Sequence, residues 1–479
     1  MLPLVQRLDL VPDVAQALRA FSTLPRVSLL ESAKQLPQLG RYSFLMADPF
    51  ATCITQDSSQ DPFGEAEALL QRFATPTIQG LPPFQGGAAG VLSYELGGCF
   101  EKIPQAQHNE FPIPLLTLAF YDCVLAWDHQ AGEAWLISHG WPESEEAAQV
   151  ARARKRLQQF QDLLRSSNTT ALDSTRPGPQ EFLGERAELR SPHQLNHFPL
   201  PWQGNFSSPG YRTAVKQAID YIYAGDIFQV NLSQRWVHPA VCSSLDLYLE
   251  LRSVNPAPFA AYIDMQGTEI LSASPERFLR MQDRHIETRP IKGTRLRSPN
   301  PVIDLWVGES LAESRKDRAE NLMIVDLLRN DLSRVCDIES VQVTQLCGVE
   351  RYQYVVHLVS AVEGQLAKDV PAFDLLRATF PGGSITGAPK VRAMEIIAEL
   401  EPTTRGAYCG CIGYVGFDGT MDWNIAIRTI TSQQGWWQVQ AGGGIVADSE
   451  PVAEESETWH KAQGLVRAID LVRHRYRCP

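Results

Sequence analysis

Between Ser166 and Gly204 the chain loses its periodicity and fills with Ser, Thr, Pro, Asn and Gln, the composition of a linker. This break constrains the fold more than any other feature. It sets an N-terminal region, residues 1–165, apart from residues 205–475, which contain no repeat and no low-complexity tract and read as one large α+β unit. In the first region Leu116 to Trp127 and Ala134 to His139 are rich in β-branched and aromatic residues. The turn chemistry of Asp128-His129-Gln130-Ala131-Gly132 between them predicts a β-hairpin. A helix is expected from about Pro142 to Leu164, with acids early and Arg later, as the helix dipole prefers. After the linker, Ser208-Pro209 reads as an N-cap followed by Pro, Val215, Ile219 and Ile222 recur at helical spacing, and Gly225 ends the helix. Phe228, Val230 and Leu232 then alternate with Gln229, Asn231 and Ser233, the pattern of a half-buried strand.

Charge narrows the function. With 43 Lys plus Arg against 55 Asp plus Glu, the net charge is −12, which argues against nucleic acid as a partner. An anionic ligand must therefore be held by local groups. Nine cysteines, an odd number without a CxxC pair, fit neither a disulfide framework nor a zinc site and read as reduced thiols. With Arg7, Asp9 and Asp13, the start has neither the apolar block expected of a signal peptide nor the acid-poor, Arg-rich character expected of a transit peptide, and no apolar run approaches the roughly 20 residues that span a bilayer. A cytoplasmic protein with no membrane partner is expected.

Chemistry concentrates after the linker. On a helix around Glu313 to Leu328, about 100° per residue places Glu320 on the face of Ile324 and Leu328, so its carboxylate points inward. A second helix, Val452 to His474, lines Glu454, Glu457, Lys461, Gly464 and Ala468 along one stripe. Each helix thus carries an acid three residues before another, Asp317 with Glu320 and Glu454 with Glu457. Two readings stand: solvated helix faces, or buried carboxylates around a cation, for which an oxygen-only set suits Mg²⁺ better than zinc. Pro381 to Lys390 opens a helix with a Gly-rich loop, but Gly387-Ala388-Pro389 departs from a nucleotide-triphosphate loop, leaving a turn that could hold a carboxylate. Gly442, Gly443 and Gly444 either allow close backbone approach to a ligand or form a bulge or turn. In an extended segment Thr288, Pro290, Lys292 and Thr294 share a face; Lys292 is then a solvated edge charge or, turned into a pocket, a deprotonated nucleophile.

These residues resemble the chorismate-utilising enzymes, which include the large subunits of anthranilate synthase and aminodeoxychorismate synthase and the isochorismate and salicylate synthases. Four stretches carry the resemblance: Gly225 to Leu232, Asp317 to Leu327, Pro381 to Met394, and Gly442 to Asp448 with Glu457-Thr458. Pro290-Ile291-Lys292-Gly293-Thr294 looks like the aminodeoxychorismate synthase branch; anthranilate synthases usually have Ala at the lysine. The resemblance implies an α+β fold, a large β-sandwich of two sheets with helices outside. It further implies Glu276 and Lys292 as catalytic residues, Glu320 and Glu457 as Mg²⁺ ligands, and Asp317 and Glu454 as acids behind them. Thr294, His357, Tyr414, Arg428, Gly442, Gly443, Gly444 and Lys461 would hold chorismate. Asp317 departs from relatives that carry Glu there. Ammonia would come from a separate glutamine amidotransferase subunit in a heterodimer, because none of the nine cysteines sits in the Gly-x-Cys-x-Gly turn of a glutaminase. Lastly, the resemblance suggests a tryptophan site formed by Ser32, Gly40, Arg41, Tyr42, Pro258, Phe259 and Ala260; alternatively Ser32 is a cap and Pro258-Phe259 a packed turn.

Overall fold

The computed structural model describes residues 2–35, 39–169, 193–194, 202–298, 300–351 and 355–476. Two antiparallel sheets, of 13 and 10 strands, dominate it. In the larger, five strands from the first region lie side by side and end on Ser28–Glu31, which pairs with Phe259–Asp264, so that Glu31 stands opposite Ala260. Thr268–Ser274, Thr429–Gln433, Trp436–Ile445 and Gln229–Pro239 follow in that order. In the smaller sheet the halves meet where Gly87–Leu92 pairs with Cys411–Gly416. Residues before and after the 166–204 stretch therefore share both sheets, and that stretch separates them only in sequence order. Of the stretch itself, the described pieces are a helix end running to Thr169 and two short strands, His193–Gln194 and Gln203–Gly204, at the edge of the larger sheet.

The sheets pack face to face. One apolar cluster joins Phe44, Val124 and Ala126 of the larger sheet to Ala89, Ala119 and Tyr414 of the smaller, and another joins Ala261 and Ile270 to Val91 and Ile412. At about 25 cal/mol per Å² of apolar surface removed from water, such two-sided burial is the main stabilising term. Helices cover the outer faces; Ala462, Leu465 and Ile469 of the helix Pro451–Arg475 pack on Leu271 and Val439.

Several local expectations shift. The 128–132 turn does close a hairpin, Asp128 standing opposite Glu133. Leu116 to Trp127 is nevertheless two strands, not one: Leu116–Tyr121 belongs to the smaller sheet and Cys123–Asp128 to the larger. The chain crosses between sheets at Asp122, a fully buried carboxylate facing Arg152 and Arg156. The helix expected from Pro142 starts at Glu146, where the Glu145 carboxylate accepts the N–H groups of Ala147 and Ala148. Ser207, not Ser208, caps the next helix, accepting from the Gly210 N–H. Gln229–Pro239 is buried on both faces rather than one, because its polar face meets the Glu401–Arg405 pair instead of solvent. Phe228 is 72% exposed, just outside that strand. All eight cysteines among the described residues are unbonded thiols, and among those residues no helix is long and apolar enough to cross a membrane.

Candidate active site

The site draws on Thr268–Ser274 and Trp436–Ile445 of the larger sheet, on Ile291–Leu296 of the smaller, and on the helices Arg315–Ser333 and Pro451–Arg475. Glu276 follows the strand Thr268–Ser274 in a turn pinned by Ser274, whose Oγ accepts the Glu276 N–H at 3.3 Å and donates to the Ile425 carbonyl at 2.6 Å. Lys292 lies on Ile291–Leu296, opposite Leu358. The extended run expected from Thr288 to Thr294 is broken twice. One strand ends at Thr288 and the next begins at Ile291; the register then slips between Lys292 and Thr294, where Gly293 takes φ +70°. Regular alternation therefore does not set the direction of Lys292. The Thr294 backbone pairs with His357; its side chain lies outside the described set.

Ser384 joins the two groups. Its Oγ donates to Glu276 Oε1 at 3.0 Å, and its carbonyl accepts from Lys292 Nζ at 3.4 Å. The Gly-rich loop that carries Ser384 is held from behind by Arg405, which donates to the Ile385 carbonyl at 2.9 Å and to the Asn231 carbonyl at 2.7 Å while paired with Glu401. Glycine is required at Gly387, which sits at φ +149° with the Gln229 carbonyl 2.1 Å from where a Cβ would lie. The loop thus presents a serine, and no carboxylate is needed to explain its shape.

Burial sets the electrostatics. It pushes the Glu276 carboxyl above its ordinary range, opposed by the charge of Lys292 and the Ser384 hydrogen bond. Lys292 is drawn below its ordinary range by the same burial, opposed by Glu320 and Glu276. His357 is pulled down to about 4 by burial and by Arg428, so its imidazole is neutral near pH 7. Arg428 itself is lowered by burial, and it occupies the left-handed region at φ +50°.

The carboxylates converge on the other side. A Cβ on Gly443 would lie 3.2 Å from Glu454 Oε2 and 3.6 Å from Glu457 Oε1. Glu454 is raised by burial and accepts from Ser449 Oγ at 2.6 Å. Glu457 stays half-exposed, closer to the solvated reading than to a buried carboxylate, and Lys461 Nζ at 2.7 Å outweighs its partial desolvation and holds it below its usual range. Lys461 also donates to the Gly442 carbonyl at 2.9 Å. Glu320 is raised by burial, with Lys292 opposing. Asp317 pairs with Arg295 at 2.9 Å and packs against Gly293, where a Cβ would sit 2.9 Å from its carboxyl carbon. Gly442, Gly443 and Gly444 form neither bulge nor turn: they run within Trp436–Ile445, in register with Ser233, Leu232 and Asn231.

Tyr414 stands elsewhere. Its register opposite Ala89 turns the ring between Phe84 and Phe44, at 4.5 and 5.6 Å between centroids. There it lines a second cavity, of about 360 Å³, together with Ser32, Gly40, Arg41, Tyr42, Pro258, Phe259 and Ala260. Ser32 Oγ donates to the Tyr42 carbonyl at 2.7 Å, and Arg41 pairs with Asp128 at 2.7 Å. Sequence reasoning gave no role to Ser384, to Lys316, whose charge acts on Glu320, Glu454 and Glu457, or to Lys34, whose charge acts on His357. Ser384 lay within a quoted motif; the two lysines carried no signal in the sequence.

Comparison with known proteins identifies the family and the fold. The family model described as chorismate binding enzyme matches residues 26–467. Aminodeoxychorismate synthase component 1 of Escherichia coli (strain K12) is 39% identical over 463 residues, covering 94% of each chain. Anthranilate synthase component 1 of Thermus thermophilus is 37% identical over 473 residues, covering 97% of this chain and 96% of its own. Among solved structures, anthranilate synthase component I from Streptococcus pneumoniae superposes with TM-score 0.73 at 30% identity, over 90% of this chain and 93% of that one. The menaquinone-specific isochorismate synthase from Escherichia coli shares the fold, with TM-score 0.69 at 19% identity. The two-sheet α+β architecture is thus that of the chorismate-utilising enzymes, and the chain belongs to the chorismate binding enzyme family.

Proposed function

We propose that this protein aminates chorismate to 4-amino-4-deoxychorismate, as component 1 of an aminodeoxychorismate synthase acting in p-aminobenzoate and folate biosynthesis in the cytoplasm. One observation carries the reading: Lys292 and Glu276 share Ser384 in one buried site, with the lysine drawn toward its neutral form and the glutamate toward its protonated form. A nucleophile and an acid need those states. The runner-up is anthranilate synthase component I, since relatives of both activities match at similar identity; the lysine at 292 favours the first.

Mg²⁺ fits the donor set. Among the described residues no three His, Cys, Asp or Glu side chains stand close enough to enclose a cation by themselves. Mg²⁺ keeps several waters and takes one or two carboxylates plus substrate oxygens, which suits Glu320 and Glu457, with Glu454 and Asp317 behind them. When bound, the ion would supply Lewis-acid stabilisation of charge at the ring carboxylate. The rest of the chemistry belongs to the chain. Neutral Lys292 Nζ bonds to ring carbon 2 as the carbon 4–oxygen bond breaks, and Glu276 gives its proton to the departing hydroxyl, which leaves as water. Ammonia then bonds to carbon 4, the lysine leaves carbon 2, and Glu276 takes up the surplus proton. Arg428, Lys461, His357, Thr294 and the Gly442–Gly444 backbone hold the substrate through these steps.

A separate glutamine amidotransferase subunit would deliver the ammonia, as the designation component 1 in the relatives suggests. The second cavity is read as a tryptophan site, because all seven residues expected there line it. Trapping a substrate adduct on Lys292, with ammonium-dependent turnover of Lys292→Ala alongside, tests the mechanism: an adduct on the wild type and loss of most activity in the variant are expected. An undiminished variant and no adduct would sink the covalent route in favour of direct ammonia attack.

A further inference from the structure

Glu401 and Arg405 form a buried ion pair that reaches the proposed acid and nucleophile through one loop. They follow the helix Lys390–Leu400, and the side chains of Arg405 and Glu401 are 1% and 3% exposed. Glu401 accepts from Arg405 Nε at 2.9 Å and from Nη2 at 2.7 Å, one oxygen each, and from the N–H and hydroxyl of Ser233 at 2.7 and 2.9 Å. So fixed, the guanidinium donates to two main-chain carbonyls, that of Ile385 in the Gly-rich loop at 2.9 Å and that of Asn231 in the strand Gln229–Pro239 at 2.7 Å. The Asn231 N–H in turn donates to the Thr386 carbonyl at 2.7 Å. Strand, loop and arginine thus close a hydrogen-bonded ring through Ile385 and Thr386, directly after Ser384.

The N-terminal half seals the other side. Glu95 accepts the Arg405 and Gly406 N–H groups at 2.8 and 3.0 Å, and the guanidinium carbon lies 4.6 Å from the centre of the Tyr94 ring. Stability alone does not account for such a pair, since apolar residues of similar volume in place of a buried ion pair are often as stable. What an apolar pair lacks is the rigid fork of donors that fixes several acceptors at once. The consequence reaches the site because the contacts made by Ser384 are long: 3.0 Å from its Oγ to Glu276 Oε1 and 3.4 Å from Lys292 Nζ to its carbonyl. Both lie near the outer limit of hydrogen bonding, so a displacement of about half an ångström breaks them.

We propose that Arg405, clamped by Glu401, is a positioning residue for the proposed reaction: it holds the loop so that Ser384 meets Glu276 and Lys292 at once. This rests on the chorismate reading above. Its route to the two catalytic residues is the main chain of residues 384–386.

Arg405→Lys, which keeps the charge but not the fork, and Glu401→Gln, which keeps the shape and loosens the clamp, test this in the full-length protein with chorismate, ammonium and Mg²⁺. Arg405→Lys should lower kcat about tenfold or more, the scale of a small misplacement of reacting groups, with KM within about threefold. The acid works protonated, and losing the Ser384 donor favours that form, so the alkaline limb of kcat/KM should move up by about half a unit to one unit. Lys292, Lys461, Arg428 and Cys409, which also face Glu276, are unchanged in these variants. Because both routes lose one hydrogen bond, Arg405→Lys combined with Ser384→Ala should shift the limb no further than either alone. Glu401→Gln should move it the same way by less. A lower melting temperature with the limb unmoved, additive shifts in the double variant, or failure of both single variants to fold would overturn the proposal and leave the pair a requirement of stability alone. Failure of the chorismate reading shows separately, as a wild type that does not turn over chorismate.

Discussion

Ser384 is the residue on which the proposed chemistry turns. Its hydroxyl donates to a carboxylate oxygen of Glu276, which favours the ionised form and so opposes the upward push of burial. The acid must be protonated to act, so activity is lost on the alkaline side as Glu276 ionises. Ser384→Ala removes the hydroxyl that donates from the loop to the acid, raising the Glu276 pKa further. The alkaline limb of kcat/KM should therefore move to higher pH, by about half a unit to one unit. An unmoved limb, or one displaced to lower pH, would show that the hydrogen bond does not tune the acid. Little of this was legible in the sequence. Lys292 stood in the sequence as one of two readings of an extended segment and Glu276 was named from resemblance, whereas their meeting through a serine about a hundred positions away is a product of tertiary structure.

At the scale of elements, the helix faces were the most legible part. Asp317 with Glu320 and Glu454 with Glu457 do turn toward one region, because spacing on a helix fixes direction to within a fraction of a turn. Strands were harder to read. The slip at Gly293 cancels the alternation that placed Lys292 and Thr294 together, and Tyr414 turns toward Phe84 because its strand lies at the seam between the two halves. Gly443 couples one such strand to the acid-bearing helix. Gly443→Ala places a methyl 3.2 Å from Glu454 and 3.6 Å from Glu457. The Mg²⁺ concentration for half-maximal activity should rise about tenfold or more, the scale of a disturbed outer ligand sphere, with the melting temperature nearly unchanged. An unaltered Mg²⁺ requirement would take these carboxylates out of the metal site.

For the molecule as a whole, the linker-like composition of residues 166–204 suggested two regions, and sheet pairing cannot be read from composition. Strands from both regions complete the same two sheets, meeting at one seam in each. Residues 202–479 alone would leave Phe259–Asp264 and Cys411–Gly416 as bare sheet edges and remove Phe44, Ala89 and Val124 from the shared core. That fragment should be unfolded or aggregated by circular dichroism and sedimentation; a cooperative melt near that of the full chain would contradict the shared core. The shared sheets matter to function, since they line the 360 Å³ cavity with residues from both halves of the chain. The central claim, amination of chorismate without aromatisation, is tested most directly by identifying the product that the purified full-length protein makes from chorismate, ammonium and Mg²⁺. The account predicts 4-amino-4-deoxychorismate with no release of pyruvate; anthranilate and pyruvate formed with no added lyase would contradict it.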